Sequence, residues 1–184
     1  MLSQLIRITK GKTITQAILY VTKLIWWRIS NPILSFFARI KLSLWGAKIG
    51  GNFLVRGRLR AHLDGELIIG NNVRIISGSQ NYVGGNRKTS IWVGRDSKMR
   101  IGDNCAISNT TFVCLKKIEI LEETYIGGGC EIYDTDFHSL SSEKRRNDKN
   151  LPGGSILIGP RAFIGGFCTI LKNVTIGEGA VVGA

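Results

Sequence analysis

The chain has 184 residues, a length that favours one compact domain with an appendage and argues against two large domains. Apolar residues make up 43%, and 23 glycines stand against 3 prolines, which excludes a disordered or collagen-like chain and favours β structure with many tight corners. Of the 25 lysines and arginines, 11 precede the first acidic residue, Asp64, so the net charge of +12 belongs mainly to the amino-terminal end. An anionic partner is therefore expected at that end.

The first predicted element is an amphipathic helical region over residues 1–48, where apolar residues recur at intervals of three and four. Asn31-Pro32 is expected to divide it into two helices, and Gly46 to end the second. The region is interpreted either as a cap over the end of the following domain or as an anchor on an anionic membrane surface, and the two are compatible. Neither a cleavable signal peptide nor a spanning helix is predicted, because Arg7 and Lys23 interrupt the apolar runs.

From residue 49 onward the hydrophobic periodicity changes to six. Each unit near the end of the chain has one large aliphatic residue, usually followed by glycine, and one small residue four positions after the aliphatic one. The aliphatic positions are Ile158, Ile164, Ile170, Ile176 and Val182. The same pattern occurs earlier, with a slip of one residue expected between Val113 and Ile120. One short strand and one corner per unit would close a triangular coil of about 18 residues, with the aliphatic side chains stacked inside.

Two polar, glycine-containing segments interrupt the repeat, at residues 79–90 and 138–155. Insertions in a stack of coils must leave it as loops, and such loops often bind ligands. The second insertion includes a basic run at residues 143–149, which would reach an anionic ligand or, as is more common, stay a solvated loop.

Four cysteines occupy repeat positions where a small apolar side chain fits, and they form no CxxC pair. They are Cys105, Cys114, Cys130 and Cys168. Free cysteine behaves as a small buried hydrophobe, so these residues are expected to be reduced packing groups. A cytoplasmic location is the simplest consequence.

His138 lies where the predicted coil meets the second insertion. A sugar hydroxyl is a poor nucleophile near neutral pH, and its attack on a thioester needs a base, a role that suits an imidazole. Asp136, or alternatively Asp134, would hold the imidazole in one tautomer. The alternative for either carboxylate is a corner acid bonded to backbone amides. We therefore expect His138 to be a catalytic base, with a surface or structural histidine as the alternative.

The hexad pattern over residues 49–184 resembles that of the hexapeptide-repeat acyltransferases, and Asp-Phe-His-Ser at residues 136–139 is similar to the version in sugar O-acetyltransferases of surface-polysaccharide pathways. The resemblance implies an all-β solenoid, a left-handed parallel β-helix, with residues 1–48 as an α-helical extension. The left-handed winding comes from the family alone, since parallel crossovers are generally right-handed. The family also implies a homotrimer whose subunits share active sites.

Acetyl-coenzyme A is the cosubstrate that the resemblance implies, held in a groove between neighbouring solenoids by Gly166 and Ala184. Asn109 is similar in position to an acceptor-binding asparagine of maltose and galactoside acetyltransferases, a plain corner residue being the alternative. Relatives usually continue past the position of Ala184 with another coil and a basic tail that contacts the nucleotide. Two alternatives stay open: the chain is truncated at this point, or the basic surface comes from elsewhere, for example from Lys172 or a neighbouring subunit.

The predicted function is transfer of an acetyl group to a sugar hydroxyl in capsule, O-antigen or exopolysaccharide synthesis. The alternatives are a small acceptor (a free sugar, an antibiotic or a nucleotide amino sugar) and a non-catalytic scaffold. Zinc-dependent carbonic anhydrases of this fold use three histidines, whereas this chain has only His62 and His138, so no metal is expected to be required. No nucleic-acid partner is expected, and peripheral contact with the inner face of the cell membrane through residues 1–48 is a further expectation.

Overall fold

The computed structural model describes residues 11–146 and 152–184. Within these ranges one long helix, α1 (Ile14–Leu44), precedes 17 short strands and a single turn of 3-10 helix at Gly78–Gln80. The strands are β1 (Lys48–Ile49), β2 (Leu54–Arg56), β3 (Arg60–Leu63), β4 (Glu66–Ile69), β5 (Arg74–Ile76), β6 (Ser90–Val93), β7 (Lys98–Ile101), β8 (Ala106–Ser108), β9 (Thr111–Cys114), β10 (Lys117–Ile120), β11 (Tyr125–Ile126), β12 (Glu131–Tyr133), β13 (Ser155–Ile158), β14 (Phe163–Ile164), β15 (Thr169–Leu171), β16 (Thr175–Ile176) and β17 (Val181–Val182).

The strands visit three parallel sheets in turn. Sheet A contains β1, β4, β7, β10, β13 and β16; sheet B contains β2, β5, β8, β11, β14 and β17; sheet C contains β3, β6, β9, β12 and β15. Leu157 lies opposite Thr175, a step of 18 residues, as the hexad pattern predicts. This order is that of a parallel β-helix. We call the turns from sheet B to sheet C the B–C corner, and those from sheet C to sheet A the C–A corner.

The repeat positions form the core, as predicted. Ile158 and Ile164 are fully buried and Ile170 is nearly so, while Ile176 and Val182 are half-buried in the last coil. One expectation was wrong by a residue: Phe112, not Val113, faces the core, because Phe112 lies opposite Ile132 in the sheet C register. Five residues therefore separate Ile107 from Phe112 and eight separate Phe112 from Ile120, so the longer spacing lies after Phe112, where the slip was expected.

Three of the four cysteines are buried in this core. Burial raises the pKa of the Cys105 thiol to about 11 and that of Cys114 to about 12. These thiols are therefore almost wholly protonated near neutral pH and act as packing groups. Cys168 is half-buried, and the structure places it in the last turns of the stack.

Helix α1 begins at a capping box, in which the Thr13 hydroxyl accepts from the Gln16 backbone N–H and the Gln16 side chain accepts from the Thr13 N–H. The predicted break at Asn31-Pro32 was wrong, since the helix continues through Pro32. Pro32 and Arg28 are both exposed, so the Arg28 carbonyl that loses its helical donor can bind water instead. No helix in the described ranges is long and apolar enough to cross a membrane.

The carboxy-terminal half of α1 covers the open end of the first coil. Leu42 is buried in the core, and the buried Ser35 hydroxyl accepts from the Val55 N–H at 2.9 Å. Arg39 donates to the carbonyls of Gly50 and Ile49 at 2.6 and 2.8 Å. These carbonyls belong to the first coil, so no earlier coil offers them a backbone donor. Gly46 follows the helix with φ of 86°, as expected for its stop.

Candidate active site

The second insertion leaves sheet C after β12 and returns at β13 through a narrow neck. Thr135 and Gly153 form an isolated antiparallel bridge. The Asp136 N–H donates to the Pro152 carbonyl at 3.1 Å, and the Gly154 N–H donates to the Asp134 carbonyl at 2.8 Å. These bonds fix residues 134–136 against residues 152–154, so the insertion starts from an ordered base at the C–A corner.

His138 is presented at the outer end of this neck by a tight turn. Its N–H donates to the Asp136 carbonyl at 2.7 Å, across Phe137, whose φ is 62°. A three-residue turn with positive φ is rare and strained for a bulky residue, and here the Phe137 ring packs edge-to-face on Tyr133 at 5.3 Å. The His138 side chain is exposed. The imidazole is therefore accessible to a substrate from solvent.

Asp134 bonds to backbone amides of the C–A corner and not to the imidazole of His138. It is fully buried, and its two carboxylate oxygens accept from the Leu115 and Lys116 N–H groups of the preceding coil at 2.7 and 2.8 Å. Among the described residues neither oxygen bonds His138. The arrangement corresponds to the alternative expectation of a corner acid bonded to backbone amides.

Asp136 pairs with Lys172, which lies one coil further along the stack. The Lys172 Nζ is 2.7 Å from Asp136 Oδ1, and the two side chains are 25% and 16% exposed. The second carboxylate oxygen, Oδ2, is buried and has no partner among the described residues. Lys172, which was expected to supply a basic surface for the nucleotide, is thus paired with Asp136 at the C–A corner. Sequence analysis missed this pair, because the register of Tyr133 opposite Leu171 would place Lys172 opposite Asp134, two residues before Asp136.

Replacing Lys172 by methionine is expected to lower the free energy of unfolding by about 1–3 kcal/mol, because the Asp136 carboxylate is left largely buried without its cation. Adding Asp136→Asn should recover most of that loss, giving a coupling energy of about 1 kcal/mol or more. Urea unfolding followed by circular dichroism measures both. Lys98→Met is the matched control, since Lys98 pairs with Glu66 at the exposed surface, and its effect should stay within about 0.5 kcal/mol. Equal losses for the two lysine variants would contradict this prediction.

Asn109 lies at the B–C corner beneath the first insertion. It is buried, and its side-chain amide donates to the carbonyls of Val83 and Gly85, both at 3.1 Å. Gly84 lies so close that an added Cβ would be 3.0 Å from the Asn109 Cβ. The asparagine predicted to touch an acceptor therefore anchors the first insertion to the stack, the role of a corner residue.

Gly166 and Ala184 also lie at the B–C corner, in the last two coils. A Cβ on Gly166 would approach the Gly128 carbonyl and the Val83 side chain at 3.2 Å, so the corner is crowded on the side of the first insertion. Ala184 is exposed. On one chain the two sets of predicted residues therefore lie at opposite edges of sheet C, with Gly166 and Ala184 at one edge and His138 at the other.

Comparison with known proteins supports the repeat. Residues 155–184 match the family described as Bacterial transferase hexapeptide (six repeats). No curated protein matches the chain at a significant level. Two structures of mutant AntD, an N-acyltransferase from Bacillus cereus in complex with dTDP and coenzyme A, are similar at 24% and 20% identity, with TM-scores of 0.45 and 0.41. Each comparison covers 74% of this chain and 70% of that chain. The residues that match this family are thus the regular coils at the carboxy-terminal end.

Proposed function

We propose that this protein is a coenzyme A-dependent O-acetyltransferase that moves an acetyl group from acetyl-coenzyme A to a sugar hydroxyl in surface-polysaccharide synthesis. The observation that carries the proposal is the exposed His138, held by a strained turn on the ordered neck of a hexapeptide-repeat β-helix. The match of residues 155–184 to transferase repeats supports the same class. We take the winding of the coils to be left-handed, as in the family that the sequence resembles.

In the proposed reaction His138 acts as a general base. Its imidazole takes the proton of the acceptor hydroxyl as the hydroxyl oxygen attacks the thioester carbonyl carbon. The tetrahedral intermediate then collapses, the carbon–sulfur bond breaks, and the imidazolium returns the proton to the departing thiolate. The products are the sugar acetate and free coenzyme A.

Asp136 is assigned as the positioning carboxylate for His138. Its Oδ1 is held by Lys172, and its buried Oδ2 is an acceptor that lacks a donor among the described residues. A rotation of the His138 side chain toward the neck would supply that donor and stabilise the imidazolium formed during attack. The fully engaged Asp134 is not assigned this role.

A homotrimer would complete the site. Gly166 and Ala184 lie at the B–C corner and His138 at the C–A corner, so acetyl-coenzyme A bound along the first would reach the imidazole of a neighbouring copy. Gly166 and Ala184 would offer backbone groups to the pantetheine arm, as in the family that the sequence resembles. Lys172 and Asn109 are engaged in contacts within the chain, and neither is assigned to bind a ligand.

A screen of acceptors tests the function. We expect sugars and glycans with free hydroxyls to increase thiol release from acetyl-coenzyme A above hydrolysis by water, and the product to gain one acetyl group by mass spectrometry. An acetylated product that is stable to mild base would indicate transfer to an amine and contradict O-acetylation. Stimulation only by antibiotics or nucleotide amino sugars would favour the alternative small-acceptor enzyme.

A further inference from the structure

The outer face of α1 is a continuous apolar surface. Of the 22 large hydrophobic side chains exposed among the described residues, 13 lie between Ile14 and Trp45. Six of these recur at helical intervals and define the outer face. They are Ile18, Ile25, Ile29, Ile33, Phe36 and Ile40. The side of α1 that carries the buried Ser35 and Leu42 packs on the solenoid, and the outer face is exposed to solvent. Ile29 and Ile33 of this face also border a cavity that Arg58 lines from the solenoid.

Cations and aromatic rings border this face. The Lys23 ammonium lies 5.0 Å from the centre of the Trp27 ring, and the Lys41 ammonium lies 4.7 Å from that of Trp45. Lysine and tryptophan both present an apolar body with a polar tip, a combination that suits the boundary between lipid headgroups and acyl chains. Because no acidic residue precedes Asp64, the positive charge along the helix is not offset locally.

We propose that the outer face of α1 binds the surface of a membrane that contains anionic phospholipids. The helix would lie parallel to the surface, with its apolar side chains below the phosphates and Lys23, Arg28 and Lys41 among them. A second copy of the chain is a poorer occupant of this face. It would bring the same lysines and arginine together, and the helix carries no carboxylate that would neutralise them.

This docking would orient the solenoid. Because the other side of α1 caps the first coil, the stack of coils would rise away from the lipid. The second insertion follows β12, three strands beyond β3 in sheet C, which at about 4.8 Å per strand places it about 14 Å above the first coil. If the proposed function holds, His138 would then meet a lipid-linked glycan near the membrane surface. The binding itself does not depend on that function.

Co-sedimentation of the full chain with vesicles tests the proposal. The two compositions are phosphatidylcholine alone and an equal mixture of phosphatidylcholine and phosphatidylglycerol. We expect the partition coefficient to be about a hundredfold higher for the mixed vesicles, since Lys23, Arg28 and Lys41 would each be attracted to the anionic surface. The double variant Ile29→Glu with Ile33→Glu should lose about tenfold or more of this binding.

A matched control carries the same charge change elsewhere. Tyr82→Glu with Leu140→Glu alters two exposed side chains in the insertions and should bind mixed vesicles as the unaltered chain does. Lys23→Gln with Arg28→Gln leaves the apolar face intact and should reduce binding to mixed vesicles only. Urea unfolding checks that each variant is folded.

Three results would overturn the proposal. One is failure of the full chain to bind mixed vesicles. Another is undiminished binding by the outer-face variant. The third is equal binding of the full chain to both vesicle compositions. If light scattering showed that the outer-face variant changes the oligomeric state while the full chain ignores vesicles, the face would be a subunit interface instead.

Discussion

Replacement of His138 by alanine is expected to lower the turnover of acetyl transfer by about 10²–10⁴-fold, the range that removal of a general base produces. The physical reason is that the acceptor hydroxyl would lose the group that takes its proton as the bond to the thioester carbonyl forms. Thiol release from acetyl-coenzyme A, measured with a competent acceptor, follows the change. The KM for acetyl-coenzyme A should change little, because the imidazole acts on the acceptor.

His62→Ala is the matched control for this prediction. His62 is the only other histidine of the chain, and it lies exposed on sheet C with its Nε2 3.0 Å from Asp64 Oδ2. His62 is thus a histidine beside a carboxylate that lies away from the second insertion. Its replacement should leave turnover within about threefold of that of the unaltered protein, well below the effect of removing a general base. Turnover that survives in the His138 variant, or falls equally in both, would contradict the assignment of the base.

The fold follows from the sequence wherever one coil equals three hexads. Ile158, Ile164 and Ile170 repeat without interruption, and each occupies the core position that the period predicts. Between Ile107 and Phe112 the interval is five residues, and periodicity alone does not tell which residue absorbs the shift. The sheet register resolves it, because Phe112 must stack on Ile132 to fill the interior.

The helix illustrates a different limit. Proline is unfavourable inside a helix because it removes a donor and crowds the preceding turn. At Pro32 that cost falls on an exposed side, while Ser35 and Leu42, on the next turns, gain contacts with the first coil. The tertiary contacts of the helix therefore outweigh the local cost of proline. These contacts are not visible in the sequence around Pro32, which is why the helix was expected to break there.

The candidate site was predictable in position but not in its contacts. His138 could be located because an ordered repeat ends beside it. Lys172 and Asp136 are 36 residues apart, and the insertion between them hides that they lie on successive coils. The sequence favoured Asp136 over Asp134 only slightly. The structure separates them, because Asp134 accepts from two backbone amides while Asp136 pairs with Lys172.

That difference leads to the prediction with the largest effect on stability, for Asp134→Ala. The substitution removes the acceptor of the Leu115 and Lys116 N–H groups, at 2.7 and 2.8 Å, from a fully buried position. Each unsatisfied buried donor costs about 1–3 kcal/mol, so the free energy of unfolding should fall by about 2–6 kcal/mol. Urea unfolding followed by far-ultraviolet circular dichroism measures the loss.

Asp134→Asn should cost about half as much, since an amide offers only one acceptor oxygen in place of two. Asp136→Asn is the opposite case, because the Asp136 carboxylate is proposed to stabilise the imidazolium. The activation free energy of turnover should rise by more than the free energy of unfolding falls. If Asp134→Ala instead left stability unchanged and lowered turnover as far as His138→Ala, Asp134 would be the residue that orients the imidazole. The pair of variants therefore separates the carboxylate that holds the coils together from the one that acts on the base, which the sequence alone left open.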